Sequence, residues 1–146
     1  GPHWSRTYTT ADGGFISVQC LEPKFYALFL DAMGLTGDPQ FARQFETALW
    51  PELTRRLAEM FAMQPRAHWE ERFEGSDACV APVLDPAEAA SDSHMAARGV
   101  WHGAAPVLQA APAPRFSGDA AWTPPASPAR GEHTEEILAE LANRVG

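Results

Sequence analysis

Thirteen prolines punctuate a chain of 146 residues. Proline has a fixed φ and no amide hydrogen, so each one excludes a helix interior or a central strand and suits a helix start, a turn or a sheet edge. The chain is thereby restricted to short elements. Pro23 opens a helix in which Phe25, Leu28, Phe29 and Ala32 share a face, with Gly34 as its stop. Asp38-Pro39 reads as the start of a short helix through Phe41 and Phe45, and Trp50-Pro51 starts another with the apolar stripe Leu53, Leu57, Met60 and Phe61. Gln64-Pro65 breaks that pattern. Beyond it, a helix from Ala67 to Phe73 places Trp69 and Phe73 at i and i+4.

Strand signals are fewer. Tyr8 to Leu21 reads as a β-hairpin, with Phe15, Ile16 and Val18 around the turn Ala11-Asp12-Gly13-Gly14. After the turn Glu74-Gly75-Ser76-Asp77, the run Cys79-Val80-Ala81-Pro82-Val83-Leu84 reads as a buried strand that Pro82 confines to an edge. Asp85-Pro86 starts a short helix, and Ser93 to Arg98 forms one more turn ending at Gly99. Residues 104–130 then carry prolines at 106, 112, 114, 124, 125 and 128, which predicts an extended strap with Val107, Leu108, Phe116 and Trp122 as apolar anchors. Thr134 caps a final helix lined by Ile137, Leu138 and Leu141. The fold class expected is α+β: one small domain over residues 1–146, with an N-terminal hairpin, several short helices, a few further short strands and the Pro-rich strap. Gly1-Pro2-His3 is left out of this expectation as a candidate tag remnant.

Composition removes several functions. A net charge of -8, from 19 acidic against 11 basic side chains, disfavours binding to a phosphate backbone, so no nucleic-acid partner is expected. No run approaches the ~18 apolar residues of a membrane helix, and no signal-peptide pattern is present. A cytoplasmic location is expected. Cys20 and Cys79 supply no disulfide framework or zinc spacing, and the five histidines form no HExxH or i, i+4 pair, so no metal and no cofactor are expected. His68 is read as a helix-surface residue and His133 as part of the turn before Thr134. The apolar neighbours of Cys79 place it in the core. Gly13-Gly14 lacks the spacing of a phosphate loop.

Leu21-Glu22-Pro23-Lys24 carries the strongest candidate chemistry. Here a strand hands over to a helix, and Glu22 stands at or beside the cap. Two readings stay open: a carboxylate that caps the helix, where the dipole contributes ~0.3–1 kcal/mol, or one held on a rigid element and directed outward for catalysis.

The order of several blocks then becomes informative. Tyr8-Thr9-Thr10-Ala11-Asp12-Gly13, Val18-Gln19-Cys20-Leu21-Glu22-Pro23-Lys24-Phe25-Tyr26, Trp50-Pro51-Glu52-Leu53, Asp77 to Leu84, Pro112-Ala113-Pro114-Arg115-Phe116 and Gly131 to Leu138 together resemble the alpha-methylacyl-CoA racemases of the family III CoA-transferase superfamily. The resemblance implies the smaller domain of an enzyme whose larger Rossmann-like domain is not among these residues. It also implies an interlocked homodimer, an acyl-CoA thioester as substrate and coenzyme A only as part of that substrate. The active site would lie between the large domain of one subunit and the small domain of the other, the large domain supplying a His/Asp pair.

By its place in the Leu-Glu-Pro motif, Glu22 resembles the family's small-domain catalytic carboxylate. Phe25 and Tyr26 either border the acyl pocket or pack in the core. Helix dipole and burial act in opposite directions on the basicity of Glu22, and sequence alone does not rank them. Two other functions are carried: a family III CoA-transferase, whose counterpart of Leu21-Glu22-Pro23 resembles Gly-Asn-Asp, and a non-catalytic dimerisation or partner-binding module.

Overall fold

Along Phe15–Gln19 the side chains of Ile16 and Val18 turn inward with the period of two that defines a half-buried strand. This is β2, and it runs antiparallel to β1 (Ser5–Thr9), with Tyr8 opposite Ile16 and Thr9 opposite Phe15. The computed structural model describes residues 1–104, 107–118 and 125–145. These divide into two compact units, Gly1–Asp85 and Pro86–Gly146.

In the first unit the hairpin turn is closed by hydrogen bonds from the Thr10 amide to the Gly14 carbonyl and from the Gly13 amide to the Thr10 carbonyl. The hairpin is completed by β3 (Val80–Pro82), antiparallel to β2, in the order β1-β2-β3. Pro82 lies on the edge strand, where a missing donor breaks no ladder. The hairpin starts three residues earlier than the sequence pattern suggests, because the chain ahead of it is part of the fold. His3 is fully buried and receives a hydrogen bond from the Tyr8 hydroxyl on its carbonyl at 2.6 Å. Gly1-Pro2-His3 therefore belongs to the folded structure.

Three helices cover the sheet: α1 (Pro23–Met33), α2 (Trp50–Phe61) and α3 (Arg66–Phe73). Helix α1 ends at Gly34, whose φ of 69° is the left-handed conformation that closes a helix, and Leu35 N donates to Leu30 O at 2.8 Å. Phe29 from α1, Leu53, Leu57 and Phe61 from α2, and Trp69 and Phe73 from α3 meet Tyr8, Ile16, Val18 and Cys20 in one core. Ring contacts join these layers, with centroid separations of 5.0 Å for Tyr8–Phe61 and 4.8 Å for Phe61–Trp69.

The Asp12 carboxylate accepts from the Thr10 hydroxyl and from the amides of Gly14 and Arg66, so the hairpin turn caps the start of α3 from a distant part of the chain. The approach is close at Gly14, where any side chain would make its neighbours give way. A Cβ on Gly14 would stand 3.1 Å from both Arg66 Cβ and Thr10 Oγ1.

Two expectations are corrected here. The segment from Asp38 to Phe45 is a succession of turns and not a helix. Asp38 Oδ1 accepts from the amides of Gln40 and Phe41 as a helix cap does, Oδ2 pairs with Arg56 at 2.6 Å, and one helical bond follows, from Ala42 N to Asp38 O. Beyond it the Phe41 carbonyl accepts from the Tyr26 hydroxyl and the Gln44 carbonyl from the indoles of Trp4 and Trp50, not from a continuing helix. Phe41 is buried, but Phe45 is 58% exposed. Cys79 is exposed and not core, since its φ of 53° turns the side chain out of the apolar run. Ala78 takes the buried place.

The second unit holds α4 (Pro86–Ser91) and α5 (Ser93–Ala97), the latter capped by Asp92 Oδ1 on the Met95 amide at 2.9 Å. A two-stranded antiparallel sheet follows, β4 (Trp101–Ala104) with β5 (Val107–Ala110). The strap is thus partly a strand. Arg115 fastens the rest by donating to the carbonyls of Arg98 and Gly99. Of the expected anchors, Leu108 and Phe116 are exposed, and Trp122 lies outside the described residues. Helix α6 (Thr134–Val145) is amphipathic, and its Ile137, Leu138 and Leu141 stripe is exposed. The described residues thus make a mixed α+β fold of six α-helices with a three-stranded antiparallel sheet.

Candidate active site

β2 ends at Gln19 and α1 begins at Pro23, so Leu21 and Glu22 form the handover between them. Glu22 is the residue before the helix, with extended φ and ψ of -74° and 142°. Its carbonyl accepts from the Tyr26 amide at 2.9 Å, the first bond of the helical ladder. Its side chain makes no cap hydrogen bond. The carboxylate is exposed and, among the described residues, has no hydrogen-bonding or ionic partner. Of the two readings of Glu22, side-chain capping is thereby removed.

Three other carboxylates of this unit, Asp12, Asp38 and Glu52, are committed to structure. Hydrogen bonding by the Thr10 hydroxyl holds Asp12 below the usual carboxylate range, and the Arg56 guanidinium does the same for Asp38. Glu52 is bound by Arg55. Glu22 has a fixed backbone and a free head group, as the exposed helical residues Asp31 and Glu71 do, but of these three only Glu22 stands at the strand-to-helix handover.

The residues flanking Glu22 in sequence divide by exposure. Leu21 is exposed, and Phe25 is half-buried with the Lys24 ammonium 4.3 Å from its ring centroid. Lys24 therefore leans on Phe25 and forms no ion pair with Glu22. Tyr26 is buried. Its hydroxyl donates to the Phe41 carbonyl at 3.0 Å and receives from His3 Nε2 at 2.8 Å. Of the two sequence readings of Tyr26, core packing is the one its position matches, whereas Phe25 keeps an edge toward solvent.

The histidines are dispersed: His3 in the core, His68 against the Trp69 ring, His94 exposed on α5, and His133 beside Glu136 at 3.5 Å. Among the described residues no group of three or more His, Cys, Asp or Glu is placed to hold a metal ion.

Sequence reasoning missed Gln44. Its side chain is buried, and Nε2 donates to the carbonyls of Cys20 at 3.1 Å and Leu21 at 2.9 Å, immediately before Glu22. No periodicity marks it, because it lies among turns. Chemically the handover offers an exposed carboxylate, with exposed Leu21 next to it in sequence and half-buried Phe25 three residues on. Such a group can exchange a proton with an acidic C–H carried by a partly apolar molecule.

Residues 2–134 match the sequence profile of CoA-transferase family III. The chain belongs to this family. It is 39% identical to human alpha-methylacyl-CoA racemase over 97% of its own length and 40% identical to the mouse protein over 96%. In both cases it spans 37% of the relative's length. Among solved structures, Rv3272 from Mycobacterium tuberculosis superposes with a TM-score of 0.69 over 92% of this chain and 39% of that one, at 20% identity. That likeness concerns the fold. Among the described residues no helix is long and apolar enough to cross a membrane.

Proposed function

We propose that this chain is the small-domain part of an acyl-CoA racemase or epimerase, acting on the α-carbon of 2-methylacyl-CoA thioesters. The supporting observation is the exposed, unpartnered carboxylate of Glu22 at a rigid strand-to-helix junction, in a chain about 40% identical to two proteins named alpha-methylacyl-CoA racemase. In the proposed step the α-C–H bond breaks, its proton passes to a Glu22 carboxylate oxygen, and the bonding pair moves onto the thioester carbonyl as an enolate. A proton returned to the opposite face completes inversion. One carboxylate serves one face only, so the second acid–base group and the donors that hold the enolate oxygen belong to a larger domain of the same or a partner subunit. Phe25 is proposed to border the acyl chain. The reaction needs no cofactor beyond the coenzyme A of the substrate, and the working form is an interlocked homodimer in the cytoplasm.

The test is α-proton exchange of 2-methylacyl-CoA in deuterated water. The isolated 146-residue chain is expected to give none, and turnover like that of a full-length enzyme would reject the proposal. In the full-length protein, Glu22→Gln is expected to depress exchange from one stereoisomer much more than from the other. The family's name favours a second reading, transfer of coenzyme A from an acyl-CoA to a free carboxylate. Exchange of coenzyme A between an acyl-CoA donor and a carboxylic acid acceptor, with ping-pong kinetics, would select it.

A further inference from the structure

Gln44 lies in the turns between α1 and α2, where its side chain is 6% exposed. Both carbonyls that it binds lie beyond the end of β2, and it reaches them across 24 and 23 positions of sequence. The amide is itself held. Its backbone carbonyl receives the indole N–H of Trp4 at 3.2 Å and of Trp50 at 2.9 Å, one ahead of β1 and the other the first residue of α2. On the far side of Glu22, the Tyr26 amide holds the Glu22 carbonyl. The backbone is thus bonded immediately before Glu22 and at Glu22 itself, while the carboxylate is left free.

Cys20 is fully buried, so its carbonyl needs an internal partner, whereas exposed Leu21 could leave its carbonyl to water. A buried amide that takes two consecutive ones removes the freedom of the peptide that aims the next side chain. We infer that Gln44 is a positioning residue for Glu22, fixing the direction in which its carboxylate meets the substrate; this rests on the acid–base reading of Glu22. Misplacing a reacting group by about 1 Å can cost ~100-fold in rate.

The experiment uses the full-length protein that carries this segment. Gln44→Met keeps the length and removes the donors. Gln44→Glu keeps the shape but sets a carboxylate against two carbonyl oxygens, regaining one donor when protonated. Exchange in deuterated water is measured from each stereoisomer, with kcat and KM resolved and thermal unfolding followed in parallel.

For Gln44→Met, kcat is expected to fall about 10- to 100-fold for the stereoisomer whose exchange Glu22→Gln depresses, with less effect on the other and little change in KM. The double variant with Glu22→Gln is expected to be no slower than Glu22→Gln alone. Equal loss from both stereoisomers, or losses that multiply in the double variant, would overturn the inference, because a structural defect acts on both faces. Should Gln44→Met fail to fold, the Gln44→Glu series decides. Activity relative to wild type that recovers on acidification supports positioning, and a flat ratio overturns it. If Glu22→Gln itself leaves both stereoisomers equal, the reading of Glu22 fails, whatever the Gln44 variants do.

Discussion

The most quantitative expectation concerns His3. The Tyr26 hydroxyl has one hydrogen, which it gives to the Phe41 carbonyl, so it receives from His3 Nε2–H, and the imidazole is the tautomer with Nδ1 bare. That nitrogen is buried without a partner. Protonating it would place a charged N–H in the core with no acceptor, and burial accordingly lowers the His3 pKa from 6.5 to about 4. The unfolded chain takes up the proton first as the solution is acidified. His3 therefore costs nothing above pH 6.5, and stability is lost progressively as pH falls from there toward 4.

At ~1.4 kcal/mol per pH unit, acidification from pH 7 to pH 5 should remove about 2 kcal/mol through this one side chain. Whole-domain stability is ~5–15 kcal/mol. In urea, where m-values run ~1–3 kcal/mol per molar, the midpoint should drop by roughly 1 M. The comparison is His3→Phe, which keeps a ring against Phe41 and Tyr26 but has nothing to protonate. Unfolding followed by tryptophan fluorescence at both pH values gives the difference, and all other titrating groups cancel between the two proteins. Asp12 and Asp38, already lowered, also protonate below this window. A variant with the same pH dependence as wild type would refute the assignment of a neutral, buried imidazole.

Gly34→Ala should destabilise by about 1–2 kcal/mol in chemical unfolding, since a φ of 69° is costly for any residue with a Cβ. A cost near zero would mean that the α1 terminus adopts another conformation in solution. The two thiols should separate under a thiol-modifying reagent at neutral pH: Cys79 reacts in the native protein, whereas Cys20, which burial pushes up to about 12, reacts only after unfolding. Equal native reactivity would contradict the placement of the run from Ala78 to Val80.

What the sequence made legible were the elements whose signals are local. Pro23 with Gly34, Trp50-Pro51 with its stripe, and Trp69 with Phe73 each declare a helix through spacing and termini, and these helices stand where they were expected. The failures have non-local causes. The Asp38 segment carries helix-start chemistry and makes the cap, but its Phe41 and Gln44 carbonyls are taken by Tyr26, Trp4 and Trp50 from other parts of the chain, and turns follow instead of a helix. The outward turn of Cys79 depends on one positive φ that its apolar neighbours do not announce. His3 looked dispensable because its side-chain partner, Tyr26, lies 23 positions away in sequence.

The same distinction explains why Glu22 was readable and its support was not. The Leu21-Glu22-Pro23 step states its position by sequence alone, since a strand pattern ends and a proline begins a helix. Nothing near it says whether the carboxylate is spent on the helix end. That is decided by the folded geometry: at φ -74° and ψ 142° the Glu22 side chain takes no amide of the first helical turn, so its exposed carboxylate is not spent on the cap. The carbonyls before it are held separately, by the Gln44 amide from the turns between α1 and α2. A carboxylate that fixed the fold would be stabilised as an anion by its partners and made a poorer base, as at Asp12 and Asp38. Freedom of the head group with rigidity of the main chain is the combination that proton transfer at a carbon acid requires, because the base must arrive in one geometry and still carry an available lone pair.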